Sequence, residues 1–94
     1  MRSELHIKHN ILHNICYTEL VYGRINKKLG TDFSKAEIES MIYATLKETD
    51  EKDFSKQGKN YYVSNRTHRI KITINSNTYR VITVDRFARP LELN

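Results

Sequence analysis

At 94 residues, 38% hydrophobic and 29% charged, the chain can bury one core but not two, and it is too rich in clustered apolar residues to be a disordered segment. A formal net charge of +5 points to anionic partners, while the single cysteine, Cys16, excludes an intramolecular disulfide and any metal site of the multiple-cysteine type. With no run of about 18 apolar residues and a polar stretch at Met1 to Asn10, neither a membrane span nor secretion is expected, and a reducing cytoplasm fits best.

The first predicted element is a helix over about residues 10–29, in which Ile11, Ile15, Thr18, Tyr22, Ile25 and Leu29 form one stripe at helical spacing. Gly30 follows the last apolar position and can take the left-handed conformation that closes a helix, with Lys27 and Lys28 near the negative end of the dipole. Leu12, Cys16, Leu20 and Val21 lie off that stripe, so the helix is apolar on a further side. That side is to be covered by a second element of the fold or by a partner chain, and on the partner reading Tyr17, Leu20 and Val21 form a dimer or partner interface.

Another helix is predicted over about residues 35–48. Ser34 and Glu37 make an S-x-x-E capping box, Phe33 can staple onto Ile38, and Ile38, Met41, Ile42, Thr45 and Leu46 supply the inward stripe. Residues 49–53 carry no periodic apolar signal, and polar residues with Gly58 lead to strands over about residues 60–64, 69–74 and 78–85. In the middle strand Ile70, Ile72 and Ile74 alternate with Arg69, Lys71 and Thr73, the pattern of a half-buried strand with a basic outer face. Asn75, Ser76 and Asn77 supply a turn in which asparagine tolerates positive φ. Val81, Ile82 and Val84 occupy both faces of the last strand, which predicts a central position for it, and Pro90 ends regular pairing. The fold class expected is α+β, a single domain in which two N-terminal helices pack on a three- or four-stranded antiparallel sheet.

Charge is distributed unevenly along this layout. Between Lys56 and Arg89 the basic residues are Lys56, Lys59, Arg66, Arg69, Lys71, Arg80, Arg86 and Arg89, against Asp85 as the one acid, whereas Glu37, Glu39, Glu48, Asp50, Glu51 and Asp53 make the helix over 35–48 and its exit acidic. Phosphates need fixed positive donors and unpaired bases stack on aromatic rings. Arg69, Lys71 and Thr73 beside Tyr61 or Tyr62 thus form a candidate nucleic-acid surface, which Arg80 or Thr83 joins if the strand register, not fixed by the sequence, puts it on that face. The same residues also suit a solvated sheet face on which lysine and arginine guard an edge against aggregation.

Other chemistry-bearing residues are sparse. His9 and His13 stand at i and i+4, a spacing that can bind metal, but no H-E-x-x-H signature is present, and no metal or other cofactor is expected. His68, at the mouth of the basic hairpin, is the one candidate base. Cys16 reads as a small buried hydrophobe, and Gly23, Gly30 and Gly58 form no phosphate-cradling loop.

Two stretches, N-I-C-Y-T-E-L-V-Y with I-N-K-K-L-G over Asn14 to Gly30 and G-K-N-Y-Y-V with I-K-I-T-I-N-S-N-T-Y-R-V-I-T-V-D-R over Gly58 to Arg86, resemble a domain-of-unknown-function family of small bacterial proteins. That resemblance implies no activity. In layout alone, helices before an antiparallel sheet, the chain is also similar to the barnase, colicin and RelE type of ribonuclease. This likeness implies Lys71, Thr73, Arg80 and Thr83 as phosphate contacts and His68 as base, with no catalytic motif to carry over and Asp85 as a departure. The function expected is a nucleic-acid-associated module, RNA-directed and toxin-like, with binding favoured over cleavage. The alternative is an inhibitor or regulator from a mobile element, such as an anti-CRISPR-like blocker, that binds a larger nucleic-acid-handling protein.

Overall fold

The computed structural model describes residues 6–87. Arg89, Pro90 and the tail beyond them, and Met1 to Leu5 at the other end, lie outside the described residues, as do the expectations placed on them.

Three helices precede four strands: α1 (Ile7–Asn14), α2 (Val21–Leu29), α3 (Lys35–Glu48), β1 (Phe54–Gln57), β2 (Asn60–Asn65), β3 (Ile70–Asn75) and β4 (Val81–Arg86). The strands form one antiparallel meander in the order β1-β2-β3-β4, and the α+β class expected from the sequence is the one found. Pairing aligns Phe54, Val63, Ile72 and Val84 across the sheet, and one residue further along it aligns Ser55, Tyr62, Thr73 and Thr83. Because successive side chains in a strand point to opposite faces, the Phe54 row and its equivalents face the core and the Ser55 row faces outward. The core gathers Ile11, Ile25, Ile38, Ile42 and Leu46 from the helices against Val63, Ile72, Ile74 and Val84 from the sheet. α2 lies along β4, α3 over β2, and α1 against α3.

Where the sequence carries an explicit local signal, the chain follows it. Ser34 Oγ accepts from the Glu37 amide at 3.1 Å and the Glu37 carboxylate accepts from the Ser34 amide at 2.8 Å, a complete capping box. Gly30 closes α2 at φ 69°, and its neighbour Thr31 donates to the Asn26 carbonyl at 2.9 Å. Lys8 of α1 donates to the carbonyls of Lys47 and Thr49, both at 2.7 Å, and so serves the open end of α3 from another element.

Four expectations are corrected. The helix predicted over residues 10–29 is two helices, because Cys16 pairs its backbone with the sheet: its amide donates to Tyr79 O and its carbonyl accepts from the Val81 amide, both at 3.0 Å. A residue whose amide and carbonyl serve a neighbouring strand cannot serve a helix as well. Second, residues 54–57 form a strand, β1, in which Phe54 is buried and Ser55, Lys56 and Gln57 are exposed. Third, β4 is an edge strand. Its apolar residues on both sides reflect the register shift opposite Thr73 and Ile74, where Ile82 is displaced outward to 38% exposure. Fourth, positive φ falls on Tyr79 (62°) and Arg69 (58°) and not on the asparagines. Asn75 instead organises its turn with its side chain, Oδ1 accepting from the amides of Asn77 and Thr78, both at 2.8 Å.

Candidate functional surfaces

The outer face of the sheet presents Ser55, Tyr62, Thr73 and Thr83 in one row and Ser64, Lys71 and Asp85 in the next. Lys71 is exposed and its Nζ stands 5.6 Å from the centre of the Tyr62 ring, a cation poised over an aromatic face. Thr73 lies between Tyr62 and Thr83 in the ladder and is buried. Asp85, the one acid in these two rows, is paired with Lys28 of α2 at 2.8 Å, which partly offsets its charge. The remaining acids named above belong to α3 and the turn after it.

Of the residues expected to share this face, Lys71, Thr73 and Tyr62 do so. Tyr61 does not: it points into the core at 9% exposure, its ring 6.0 Å from that of Tyr79, and burial raises the pKa of its hydroxyl. Arg69 sits in the turn before β3, and Arg80 precedes Val81 at the opposite end of the sheet, beside Cys16. Arg80 is level with Asn75, six residues along from Arg69, so at about 3.3 Å per residue the two arginines are roughly 20 Å apart. The register thus separates Arg80 from Lys71, and the platform narrows to Tyr62 and Lys71, with Arg69 at its end.

The expected helix interface also narrows. Val21 is a core residue at 3% exposure, and Tyr17 packs on the core with its ring stacked 5.5 Å from that of Tyr22. Burial, with the Glu39 carboxylate adding to it, raises the Tyr17 pKa. Leu20 alone of the three projects into solvent, at 84% exposure, and Arg24, Arg80 and Ile82 share its groove. The ring of His9 lies 4.3 Å from that of His13, and among the described residues no three His, Cys, Asp or Glu side chains gather as a metal site.

A third feature had no local sequence signal. His68 Nε2 lies 2.6 Å from Glu48 Oε2, and the pair borders an apolar hollow of about 350 Å³ on the helix side of the sheet. Only the pairing of β2 with β3, which carries the turn containing His68 over the end of α3, brings these residues together.

A family model described as a protein of unknown function, DUF3781, matches residues 9–85. The chain belongs to DUF3781. No curated protein and no solved structure matches it. The DUF3781 match spans α2, α3 and all but the last residue of β4, so both the outer face and the Glu48–His68 pair fall within the family's extent. Among the described residues no helix is long and apolar enough to cross a membrane.

Proposed function

We propose that this protein binds single-stranded nucleic acid, RNA in the first instance, on the outer face of its sheet. Tyr62 offers a base-stacking surface, Lys71 a phosphate donor, and Ser55, Ser64 and the Arg69 turn the flanking polar contacts. The observation that carries the reading is the Lys71–Tyr62 pair, 5.6 Å apart on a face whose one acid is held by Lys28. Stacking on an aromatic ring contributes about 1–3 kcal/mol per base regardless of sequence, so a single tyrosine with one or two cations supports weak, sequence-tolerant binding. Binding without cleavage fits best, because His68 is engaged by Glu48 on the other side of the sheet, away from any strand stacked on Tyr62.

Fluorescence anisotropy of a labelled single-stranded RNA across a salt series tests this. Affinity should fall steeply with salt, Tyr62→Ala should reduce it about tenfold or more, and Lys71→Ala should weaken it while reducing the salt slope by about 1. No binding at low salt would remove the proposal.

The exposure of Leu20 favours another reading, in which the protein regulates a larger nucleic-acid-handling partner of the kind a mobile-element inhibitor would block. Leu20 and Ile82 would be its apolar anchors, with Arg24 and Arg80 meeting acidic groups on that partner. A further copy of this chain fits less well, since a two-fold contact there would bring the same arginines together. Light scattering should accordingly show a monomer, and a dimer abolished by Leu20→Asp would identify self-association instead.

A further inference from the structure

The hollow beside Glu48 and His68 is shaped by elements whose positions are fixed independently of it. Asn26, in the last turn of α2, donates from Nδ2 to Phe33 O at 3.0 Å, while its Oδ1 accepts from the Phe33 amide at 3.0 Å and from Thr31 Oγ1 at 2.8 Å. The backbone of Phe33 is thus pinned on both sides, yet the residue remains 38% exposed where it lines the hollow with Leu29, Met41, Ala44 and Ile70. Opposite stand Glu48 and His68, and these too are held from beneath. Buried Asn65 donates to Glu48 Oε2 at 3.3 Å and to Thr49 Oγ1 at 2.8 Å, and its Oδ1 accepts from the His68 amide at 2.8 Å. The third polar member is Arg86, which gives one guanidinium nitrogen to Leu29 O at 2.8 Å and pairs with no carboxylate among the described residues.

Each of these parts has a matching ligand chemistry. A hollow of about 350 Å³ stands at the lower end of the ~300–1,000 Å³ typical of small-molecule sites, so the occupant is small. An aromatic lip and a methionine thioether over aliphatic walls suit a flat ring, which both groups contact favourably. The unused nitrogens of Arg86 suit a carboxylate or phosphate oxygen. Glu48 Oε1, which accepts no hydrogen bond among the described residues, suits a ring N–H.

We propose that this hollow binds a small planar aromatic anion, with the ring between Phe33 and Met41, its anionic group on Arg86 and a ring N–H directed to Glu48. The site lies on the helix side, so it stands or falls separately from nucleic-acid binding on the outer face.

Titration of the ¹⁵N-labelled protein, followed by amide chemical shifts, tests this with three probes: indole-3-acetate, its uncharged counterpart indole-3-ethanol, and acetate. The expected result is saturable shifts with indole-3-acetate, confined to residues around Phe33, Met41, His68 and Arg86, and at least tenfold weaker binding of the other two. Arg86→Gln should weaken indole-3-acetate at least tenfold and leave indole-3-ethanol unchanged. Phe33→Ala, at an exposed ring whose loss leaves the Asn26 clamp intact, should weaken both indoles at least threefold. Absence of saturable shifts at millimolar indole-3-acetate, equal affinity for indole-3-ethanol, or shifts centred on Tyr62 and Lys71 would each overturn the proposal.

Discussion

On the helix side of the sheet, Val63, Ile72 and Val84 are fully buried in a core shared with isoleucines and leucines from three helices; one residue along each strand, Tyr62, Thr73 and Thr83 form a row on the face turned away from those helices. Both rows occupy the same backbone and share the same hydrogen-bond ladder. They differ in what stands opposite them. The inner row is fixed by volume, since close-packed interiors tolerate neither holes nor excess. The outer face is fixed by fewer packing contacts, so Tyr62 of this row and Lys71 of the next are open to other uses. One strand can therefore serve stability and recognition at once without the two competing.

That contrast can be broken by substitution. Ile72→Ala, at the centre of the inner row, should cost about 2–5 kcal/mol in denaturant unfolding, whereas Lys71→Ala beside it should leave the midpoint nearly unchanged. Equal effects would mean that the outer face is also a packed surface. Asn65 comes next. It belongs to β2 but spends its buried amide on Thr49, Glu48 and the His68 amide, so Asn65→Ala should cost about 1–3 kcal/mol and broaden the amide signals of the turn carrying His68.

A smaller effect is expected from the outer row itself. Thr83 Oγ1 is buried and has no hydrogen-bond partner among the described residues, so Thr83→Val, nearly the same in shape, should be neutral or stabilising by up to about 1 kcal/mol. A clear loss of stability would reveal a partner for that hydroxyl.

The helix layer offers a test by pH. Tyr22 donates from its hydroxyl to Glu39 Oε2 at 2.6 Å, and chiefly through that bond its pKa is raised from 10.0 to about 12. The folded state thus holds this proton more tightly than the unfolded chain, so the associated stability is complete below about pH 10 and is lost as pH rises toward 12. Tyr22→Phe should flatten the alkaline limb of a stability profile across that window.

Much of this architecture is legible in the sequence, for reasons that separate the successes from the omissions. Ser34 with Glu37, Gly30 after Leu29, and the alternation of Ile70, Ile72 and Ile74 are local patterns, each with a local cause, and each appears in the fold as expected. Phe54–Gln57 is not legible because an edge strand with one buried side chain shows no alternation. The break between α1 and α2 is hidden for the opposite reason: Ile11, Ile15, Tyr22 and Ile25 keep helical spacing straight through it, and only the distant backbone of Tyr79 to Val81 interrupts them. Candidate sites divide in the same way. Lys71 and Tyr62 follow from period two, while the separation of Arg80 from Arg69 and the meeting of Glu48 with His68 depend on strand ends and pairing that no single segment encodes.

The parallel bridge between Cys16 and Arg80 also bears on how the chain acquires its shape during synthesis. Its two halves are separated by most of the polypeptide, so an emerging nascent chain presents the N-terminal segment long before the partner that divides it has been translated. The corner between α1 and α2 therefore rests on a contact of long sequence separation, which can close only once the residues around Arg80 have been made.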